Sequence, residues 1–350
     1  MKILVTGGLG FIGSALIRQS LSRGYSVFNI DAMTYAACED NLKSVSENRN
    51  YFFNKVDICH KDKLKAAFEQ YQPDVVMHLA AESHVDRSIK NPSDFIKTNV
   101  VGTFNMLEIS LDYWKRFKKH KSFRFHHIST DEVFGSLSLN STDLFNEETP
   151  YNPRSPYSAS KASSDHLVRA WHETYDLPVL VTNCSNNYGP YQFPEKLIPV
   201  IILNALEENH LPIYGDGSNV RDWLYVDDHV DALFQVINKG EVGRTYNIGG
   251  NNEFSNLELV NTICSILDRL NPRKKGTYKD LIEFVQDRPG HDARYAINSN
   301  RIKTELGWEA TTTIVEGLEK TVLWYLQNEG WWRPLLERKD LCDNSNGSEK

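Results

Sequence analysis

The chain has 350 residues, 40% of them hydrophobic, so it can bury a substantial core in one large domain or two interlocked ones. A formal net charge of -7 argues against a surface that binds nucleic acid or an anionic membrane, but it is compatible with a small basic pocket for a phosphate. No apolar run approaches the roughly 18 residues of a membrane span, and Met1 leads straight into a strand and a glycine loop. We therefore expect a cytoplasmic protein. Five widely spaced cysteines without a CxxC pair indicate free thiols, and we predict no metal site.

Short β-branched runs alternate with helical patterns in the first half of the chain, which is the order of βαβ units. The predicted strands are residues 2–5, 26–30, 74–79, 123–128 and 179–182, and the predicted helices are 12–23 and 61–71. The later strands are almost continuously apolar, as expected when helices cover both faces of a parallel sheet. The predicted fold class is therefore α/β, a Rossmann-like doubly wound parallel sheet with a smaller C-terminal α/β substrate lobe.

The second half of the chain is richer in Asn, Gly and Pro, with helices predicted at 196–208, 226–239 and 256–270. A strand-like run at 245–248 is expected to return to the first sheet. The predicted domains are a dinucleotide-binding Rossmann domain of residues 1–183, to which segments near 222–250 return, and a substrate-binding lobe of residues 184–330. Residues 340–350 are polar and predicted to be a disordered tail.

A glycine loop follows the first predicted strand. Gly7, Gly10 and Gly13 have GxxGxxG spacing, where missing side chains let the backbone approach a pyrophosphate at a helix N-terminus. Asp31 ends the second strand, where a carboxylate binds the adenosine ribose hydroxyls and repels a 2′-phosphate. The combination predicts NAD as the cofactor instead of NADP. A tight strand-to-helix turn without a ligand is the structural alternative.

Two further segments lie where a dinucleotide would cross the ends of strands. They are Asp57 with Ile58, and Leu79 with Ala80 and Ala81. An ordinary loop carboxylate and small packing residues would explain these segments equally well.

Two pairs of residues carry the chemistry that the sequence predicts. Tyr157 and Lys161 form a YxxxK pair on one face of a predicted helix, where the ammonium can lower the phenol pKa and bind a nicotinamide ribose. The tyrosinate would then take a proton from a sugar hydroxyl as hydride leaves. Asp131 and Glu132 are adjacent carboxyl groups that can serve as acid and base in an elimination. The structural alternative for Tyr157 and Lys161 is a pair on a solvated helix surface. The alternative for Asp131 and Glu132 is an acidic pair that caps a helix at the end of a strand.

The chain resembles the extended short-chain dehydrogenase/reductase family and, within it, the nucleotide-diphosphate-glucose 4,6-dehydratases of the dTDP-glucose type. The resemblance runs from the glycine loop to about residue 325. The matching segments are residues 34–36, 80–88, 129–133, 183–191, 195–199, 221–229 and 287–292. The adjacent Asp and Glu after Thr130 are the part of the pattern that separates these dehydratases from related epimerases and decarboxylases.

The resemblance implies a redox-neutral dehydration of dTDP-glucose to dTDP-4-keto-6-deoxy-glucose. Tyr157, assisted by Lys161, takes the 4-hydroxyl proton while NAD accepts the C4 hydride, and Thr130 holds the 4-oxygen. Glu132 then removes the C5 proton and Asp131 protonates the departing 6-hydroxyl. The hydride returns to C6, so no external reductant is needed.

The resemblance also implies the ligand contacts and a homodimer. The cofactor contacts are Gly7, Gly10, Phe11, Ile12, Gly13, Asp31, Thr34, Asp57, Ile58, Leu79, Ala80, Ala81, Thr98, Tyr157 and Lys161. The nucleotide-sugar contacts are Ser83, Thr130, Asn187, Lys196, Leu197, Arg221, Asn256, Arg288 and His291. Apolar faces at 95–114 and 158–175 would form a four-helix dimer contact, although packing on the protein's own sheet explains them equally well. Arg221 has an alternative too, since it could pair with Asp222, Asp227 or Asp228.

Some positions depart from the family pattern. Phe134 replaces a usual Tyr, Ala32 a frequent Lys, and Ala37 with Cys38 a usual Gly-Asn, which affects the adenosine pocket and the pocket wall. A sister activity on UDP-glucose, another nucleotide hexose or a 2-acetamido sugar would keep the same catalytic residues. A 4-epimerase or UDP-glucuronate decarboxylase would not need Asp131 and Glu132. A catalytically silent NAD-binding regulator is the alternative from another class.

Overall fold

The computed structural model describes residues 1–117, 123–288 and 290–345, with side chains as far as residue 337. A parallel sheet of seven strands forms the centre of this described part. The strands are β1 (Lys2–Thr6), β2 (Ser26–Asp31), β3 (Tyr51–Lys55), β4 (Val75–His78), β5 (Arg124–Thr130), β6 (Val179–Cys184) and β10 (Thr245–Ile248). Their order is β3-β2-β1-β4-β5-β6-β10, so the direction of winding reverses between β1 and β4. Ligands of open parallel sheets bind at such a switch point, beyond the carboxyl ends of the strands.

Helices cover both faces of this sheet, and its strands other than the edge strand β3 are almost entirely buried. The helices are α1 (Phe11–Ser22), α2 (Lys61–Tyr71), α3 (Val85–Lys90), α4 (Pro92–Phe95), α5 (Thr103–Arg116), α6 (Pro156–Tyr175), α8 (Val226–Lys239) and α10 (Asn300–Leu306), with a π-helical segment at Ile96–Gly102. In β4, Val75, Val76 and Met77 are at most 2% exposed. One core lies between the sheet and α1 and α8, and another between the sheet and α2 and α5.

The second lobe contains two small sheets and the remaining helices. Its strands are β7 (Asn186–Tyr188), β8 (Leu211–Tyr214), β9 (Val220–Tyr225), β11 (Glu253–Ser255) and β12 (Ile282–Val285), and its helices are α7 (Leu197–Leu206), α9 (Asn256–Leu270), α11 (Ile314–Gln327) and α12 (Glu329–Ser345). Strand β9 lies between β7 and β11, and β12 pairs with β8. A separate core, with Ile201, Ile263 and Leu318 fully buried, holds this lobe together.

The predicted fold class is confirmed, and the predicted helices 61–71, 226–239 and 256–270 have the observed bounds. Strand β3 was missed because it is an edge strand whose Phe52 and Phe53 are exposed, so its sequence lacks the apolar signal of the central strands. The predicted helix at 95–114 is broken by the π-helical segment at Ile96–Gly102. Helix propensity and apolar periodicity do not distinguish these two backbone forms.

The chain leaves the first sheet after β6 and returns to it at β10. Thr245 to Ile248 pair in parallel with Val181 to Cys184, in agreement with the expected return at 245–248. The domain boundaries at 183 and 330 stay a proposal. Helix α12 continues to Ser345, beyond the residue 340 at which the sequence predicts a disordered tail to begin, and the rest of that tail lies outside the described residues. None of the described helices is both long and apolar enough to cross a membrane.

Candidate active site

The glycine loop lies at the switch point of the sheet and is closely packed. A Cβ atom on Gly7 would lie 2.8 Å from the Ala80 Cα, and one on Gly13 would lie 2.2 Å from the Gly7 carbonyl oxygen. Gly7 also has a positive φ of 73°, which favours glycine. Helix α1 starts directly after Gly10, so its unpaired N–H groups border the loop. The loop therefore fits a pyrophosphate that approaches the backbone closely.

Asp31 holds this loop against the end of β2. Its Oδ2 accepts a hydrogen bond of 2.9 Å from the Leu9 N–H, and its Oδ1 accepts one of 2.8 Å from the Met33 N–H. Burial raises the pKa of Asp31, and these two backbone hydrogen bonds oppose the rise. Each carboxylate oxygen can accept a further hydrogen bond, so Asp31 retains acceptor sites for a ribose diol.

The other predicted cofactor residues follow the ends of neighbouring strands or begin α1, except Thr98, which lies in the π-helical segment. The Ala80 N–H donates to the Thr6 hydroxyl at 3.1 Å, and Asp57 Oδ1 accepts from the Cys59 N–H at 2.8 Å. The remaining members differ in exposure: Ile58 is buried, Phe11, Ile12, Leu79, Ala81 and Thr98 are half-buried, and Thr34 is exposed. Their arrangement around the switch point is compatible with a dinucleotide, and their individual contacts stay predictions.

The carboxyl pair follows β5 on a single 3₁₀ turn. Thr130 caps this turn, since the Glu132 N–H donates to its hydroxyl at 3.3 Å. Asp131 is 1% exposed, and burial, together with the charges of Glu132 and Asp222, raises its pKa well above the usual value. Asp131 is therefore the carboxyl group of the pair that favours the protonated form.

Glu132 has a different electrostatic environment. Burial raises its pKa as well, but the positive charges of Lys196, Arg221 and Arg288 oppose that rise. Glu132 also lines a cavity that extends into the second lobe, whereas Asp131 does not line it. The two adjacent carboxyl groups thus differ in the way that a proton donor and a proton acceptor require.

Tyr157 and Lys161 occupy the first two turns of α6. Ser155 and Ser158 form a reciprocal capping box at the start of this helix, which fixes its first turn. Burial raises the pKa of Tyr157 well above its usual value, the charge of Glu132 adds to the rise, and a hydrogen bond with Thr130 opposes it. Lys161 Nζ donates to the Ile128 carbonyl oxygen at 2.9 Å.

In this chain by itself the pKa of Tyr157 therefore lies above its usual value, and the lowering effect expected of the Lys161 ammonium stays a prediction. Desolvation is the largest influence on both groups: it raises the pKa of Tyr157 and lowers that of Lys161. For Tyr157 to act as a tyrosinate near neutral pH, further positive charge is consequently needed beside its hydroxyl.

A cavity of about 480 Å³ opens from Glu132 into the second lobe. Besides Glu132, six of the predicted nucleotide-sugar contacts line it: Lys196, Leu197, Arg221, Asn256, Arg288 and His291. Ser83 does not line it, but its carbonyl oxygen accepts a hydrogen bond of 2.9 Å from Lys196 Nζ. Asn186 lines the cavity, while the side chain of Asn187 bonds to the Ser185 carbonyl and to the His229 ring.

Arg221 does not pair with the acidic residues considered in the sequence analysis. Its guanidinium donates to the carbonyl oxygens of Val220 and Asp292, and lies 4.3 Å from the ring centre of Tyr295. Asp222 instead accepts the N–H groups of Gly250 and Asn252. These aspartates therefore do not neutralise the positive charge of Arg221, which lines the cavity.

Several cavity residues were missed by the sequence analysis. Most are aromatic or cationic side chains from segments far apart in the chain: Tyr35, Arg87, Lys90, Phe193, Tyr214, Trp223 and Tyr295. The Arg87 guanidinium lies 3.7 Å from the ring centre of Tyr35, whose hydroxyl donates to Glu195 at 3.1 Å. Tyr35 and Arg87 lie in segments 34–36 and 80–88, which match the family pattern. That match is the sequence feature that could have identified them as cavity residues.

Comparison with known proteins places these features in context. A family model described as GDP-mannose 4,6 dehydratase matches residues 4–321. The chain is 58% identical over 341 residues to dTDP-glucose 4,6-dehydratase of Neisseria meningitidis serogroup B, covering 96% of each protein.

Two solved structures are similar over almost the whole chain. A dTDP-glucose 4,6-dehydratase from Bacillus anthracis in complex with NAD has a TM-score of 0.85 and 47% identity, covering 96% of this chain and 99% of that one. The enzyme DesIV, a dTDP-glucose 4,6-dehydratase from Streptomyces venezuelae with NAD and TYD bound, has a TM-score of 0.87 and 42% identity, covering 96% and 100%.

The close packing at Gly13 generates a prediction. Gly13→Ala should weaken dinucleotide retention about tenfold or more, because the new methyl group would overlap the Gly7 carbonyl and displace the loop. The measurement is the dinucleotide content of the purified protein and its dissociation constant. Gly330→Ala is the matched control, since no heavy atom lies within 4 Å of its added Cβ. Equal retention by both variants would contradict the assignment of the loop.

Proposed function

The chain belongs to the GDP-mannose 4,6-dehydratase family of extended short-chain dehydrogenases/reductases, and we propose that it converts dTDP-glucose into dTDP-4-keto-6-deoxy-glucose and water. The observation that carries the proposal is the placement of the adjacent Asp131 and Glu132 beside Tyr157. Tyr157 is influenced by the charges of both carboxyl groups and hydrogen bonds to Thr130. The base of the redox step and the acid and base of the elimination therefore share one buried site.

Tyr157 serves the redox step in this proposal. NAD, when bound at the glycine loop, supplies the hydride acceptor for C4 and the hydride donor for C6. Tyr157 takes the proton of the 4-hydroxyl, and the Thr130 hydroxyl, which bonds to Tyr157, holds the 4-oxygen. Lys161 contributes positive charge one helical turn away. The dinucleotide must bind close to these residues, because the loop after β1 and the end of β5 meet at the same edge of the sheet.

The carboxyl pair serves the elimination. Glu132, which lines the cavity among three cationic side chains, removes the C5 proton that the 4-ketone acidifies. Asp131, whose burial favours the protonated form, donates to the departing 6-hydroxyl. Asp131 Oδ2 has no hydrogen-bond partner among the described residues, so the protein itself does not take up the hydrogen bond that this role requires. Water leaves across C5 and C6, and reprotonation at C5 completes the turnover.

The cationic side of the cavity supports binding of a nucleoside diphosphate. Lys196, Arg221 and Arg288 line it in a chain whose net charge is -7, so they are a local exception to its acidic character. Guanidinium groups bind phosphate oxygens bidentately, and Asn256 and His291 supply further hydrogen-bonding groups. We also propose a cytoplasmic location, in keeping with a soluble nucleotide-sugar substrate.

The experiment that tests the proposal compares nucleotide sugars. Purified protein is incubated separately with dTDP-glucose, UDP-glucose and CDP-glucose, and the strong alkaline absorbance of a 4-keto-6-deoxy sugar is followed. We expect rapid product formation from dTDP-glucose. Faster turnover of UDP-glucose would favour the sister activity, because the catalytic residues are the same for both. Binding of NAD without product from any of the sugars would favour the silent regulator.

The division of labour between the two pairs makes a second prediction. The double variant Asp131→Asn, Glu132→Gln should oxidise C4 but release 6-deoxy product at least about 100-fold more slowly, because it lacks the proton donor and acceptor of the elimination. The measurement combines product assay with the absorbance of reduced nicotinamide on the protein, which should accumulate. Tyr157→Phe is the control, since it should bind substrate yet show neither reduced nicotinamide nor product. Normal product release by the double variant would contradict the assignment.

We further propose that the protein forms a homodimer through α5, α6 and the π-helical segment between Ile96 and Gly102. Part of this surface packs inside the protein, as Phe95 and Leu107 are buried. Val101 and Phe104, however, are 45% and 38% exposed. The Phe104 ring also contacts Trp171 of α6, with ring centres 5.8 Å apart, so the exposed apolar surface is continuous across the two helices. A second copy of the same surface would cover it.

Light scattering at micromolar concentration tests the dimer. The wild type should have the mass of two chains, and Val101→Glu with Phe104→Glu should have the mass of one, because two charges would be buried without partners in the contact. Phe284→Glu is the control, since Phe284 is 56% exposed on β12 of the second lobe. A monomeric wild type would refute the proposal.

A further inference from the structure

A buried carboxylate lies behind the Tyr157–Lys161 pair and has no part in the reaction described so far. Asp165 follows Lys161 by one turn on α6 and is fully buried, at 0% exposure. Fully buried carboxylates are rare unless charges or hydrogen bonds compensate for the lost water. Its position next to the lysine therefore calls for a physical explanation.

Three side chains from three different segments donate hydrogen bonds to Asp165. They are His127 Nε2 on β5 at 3.1 Å, the Tyr151 hydroxyl at 2.9 Å and Asn183 Nδ2 on β6 at 3.1 Å. Burial raises the pKa of Asp165, but the hydrogen bond from His127 and the charge of Lys161 are among the influences that outweigh it, so this pKa lies below its usual value. Asp165 is consequently a negative charge in the protein interior.

The neighbouring His127 is neutral and directs its proton toward Asp165. Burial lowers the pKa of His127 to about 4. Its Nε2 lies 3.1 Å from Asp165 Oδ1 and 3.5 Å from Lys161 Nζ, while its Nδ1 has no partner among the described residues. A buried N–H without an acceptor is more costly than a bare ring nitrogen, so the proton lies on Nε2. His127 therefore stabilises Asp165 but accepts no proton from Lys161.

Lys161 has few other sources of stabilisation. Burial lowers its pKa, and its ammonium donates to the Ile128 carbonyl oxygen. Of the ionisable groups that face it, His78 on β4 and His127 on β5 have lowered pKa values and are neutral, and Cys184 on β6 has its pKa raised to about 12 and is a thiol. Asp165, on the same helix, is the ionised group whose charge favours the ammonium form.

We infer that Asp165 is a positioning residue of the reaction, a buried counterion whose negative charge keeps Lys161 an ammonium beside Tyr157. The same carboxylate joins α6 to the end of β5, because Asn183 Nδ2 bonds both to Asp165 and to the Thr130 carbonyl oxygen at 3.1 Å. The helix that carries Tyr157 and Lys161 is thereby tied to the strand that carries Thr130. The inference rests on the proposed function, because it requires that Lys161 assist Tyr157.

Asp165→Asn tests the charge with little change in shape. Without the carboxylate the pKa of Lys161 falls further, so the alkaline limb of the kcat–pH profile should move to lower pH by about one unit, and kcat within that range should fall about tenfold. The KM for the nucleotide sugar should change less than about twofold, since Asp165 does not line the cavity. An unchanged alkaline limb in a folded Asp165→Asn protein overturns the inference. The proposed function does not depend on that result, because it is tested by the turnover of the wild-type protein.

Two variants separate the charge from the hydrogen bonds. Tyr151→Phe removes one donor to Asp165 but keeps its charge, so it should retain the wild-type alkaline limb. Asp228→Asn removes a buried carboxylate that accepts from the Thr311 and Thr312 backbone and the Thr311 hydroxyl, away from Lys161, and it should lose stability without moving the limb. A shift of equal size in either control would show that the effect is structural, and would overturn the inference.

The ionisation of Asp165 gives a measurement that does not depend on the folding of Asp165→Asn. In protein labelled with ¹³C at the aspartate carboxyl carbons, the Asp165 resonance is the one displaced by Tyr151→Phe, which removes its hydrogen bond. We expect this carboxyl group to be ionised at the pH of maximal turnover. A protonated Asp165 at that pH overturns the inference, because it would offer Lys161 no charge.

Discussion

Exclusion of water from the end of β5 is the constraint on which the chemistry of this protein depends. Asp131 and Lys161 are at most 4% exposed, and Tyr157 is 8% exposed. Burial shifts each of them toward its neutral form: it raises the pKa of Asp131 and Tyr157, and lowers the pKa of Lys161. A side chain at this site is therefore charged only where the fold places an opposite charge or a hydrogen-bonding group beside it. These neighbours determine which side chain acts as an acid and which as a base.

The 3₁₀ turn after β5 explains how two consecutive carboxyl groups acquire different properties. With about three residues per turn, adjacent side chains leave such a turn in directions about 120° apart. Asp131 is influenced by Asp222, while Glu132 lines the cavity near Lys196 and Arg288. One carboxyl group thus experiences mainly negative charge and the other mainly positive charge, although they are neighbours in the chain.

The cavity combines an acidic protein with a cationic binding surface. Arg288 lies 3.6 Å from the Asp86 carboxylate, but two other cations are held in place by aromatic rings: Arg87 lies against Tyr35 and Arg221 against Tyr295. Such contacts fix a guanidinium without neutralising it, in contrast to an ion pair with a carboxylate. The positive charge therefore remains available for a ligand, and the ring contacts explain why Arg221 does not need the nearby aspartates.

The sequence by itself determined the class of fold and the residue types of the chemistry. Periodicity identifies the central strands of the first sheet and the helices α1, α2, α8 and α9, but neither α11 nor the buried strand β9, and the motifs at Gly7, Thr130 and Tyr157 carry local chemistry that spacing reveals. It did not reveal β3 or the π-helical segment at Ile96–Gly102, because their sequences lack a distinctive pattern.

The tertiary structure decided the electrostatics of the site. Asp165 and His127 are separated by 38 residues, and Tyr35 and Glu195 by 160, yet each pair is in hydrogen-bond contact. The sequence also gave no sign that burial raises the pKa of Tyr157 well above its usual value. Desolvation and charge depend on distances through space, and these follow from how strands and helices pack. A sequence specifies which groups can ionise, but the packed fold determines which of them do.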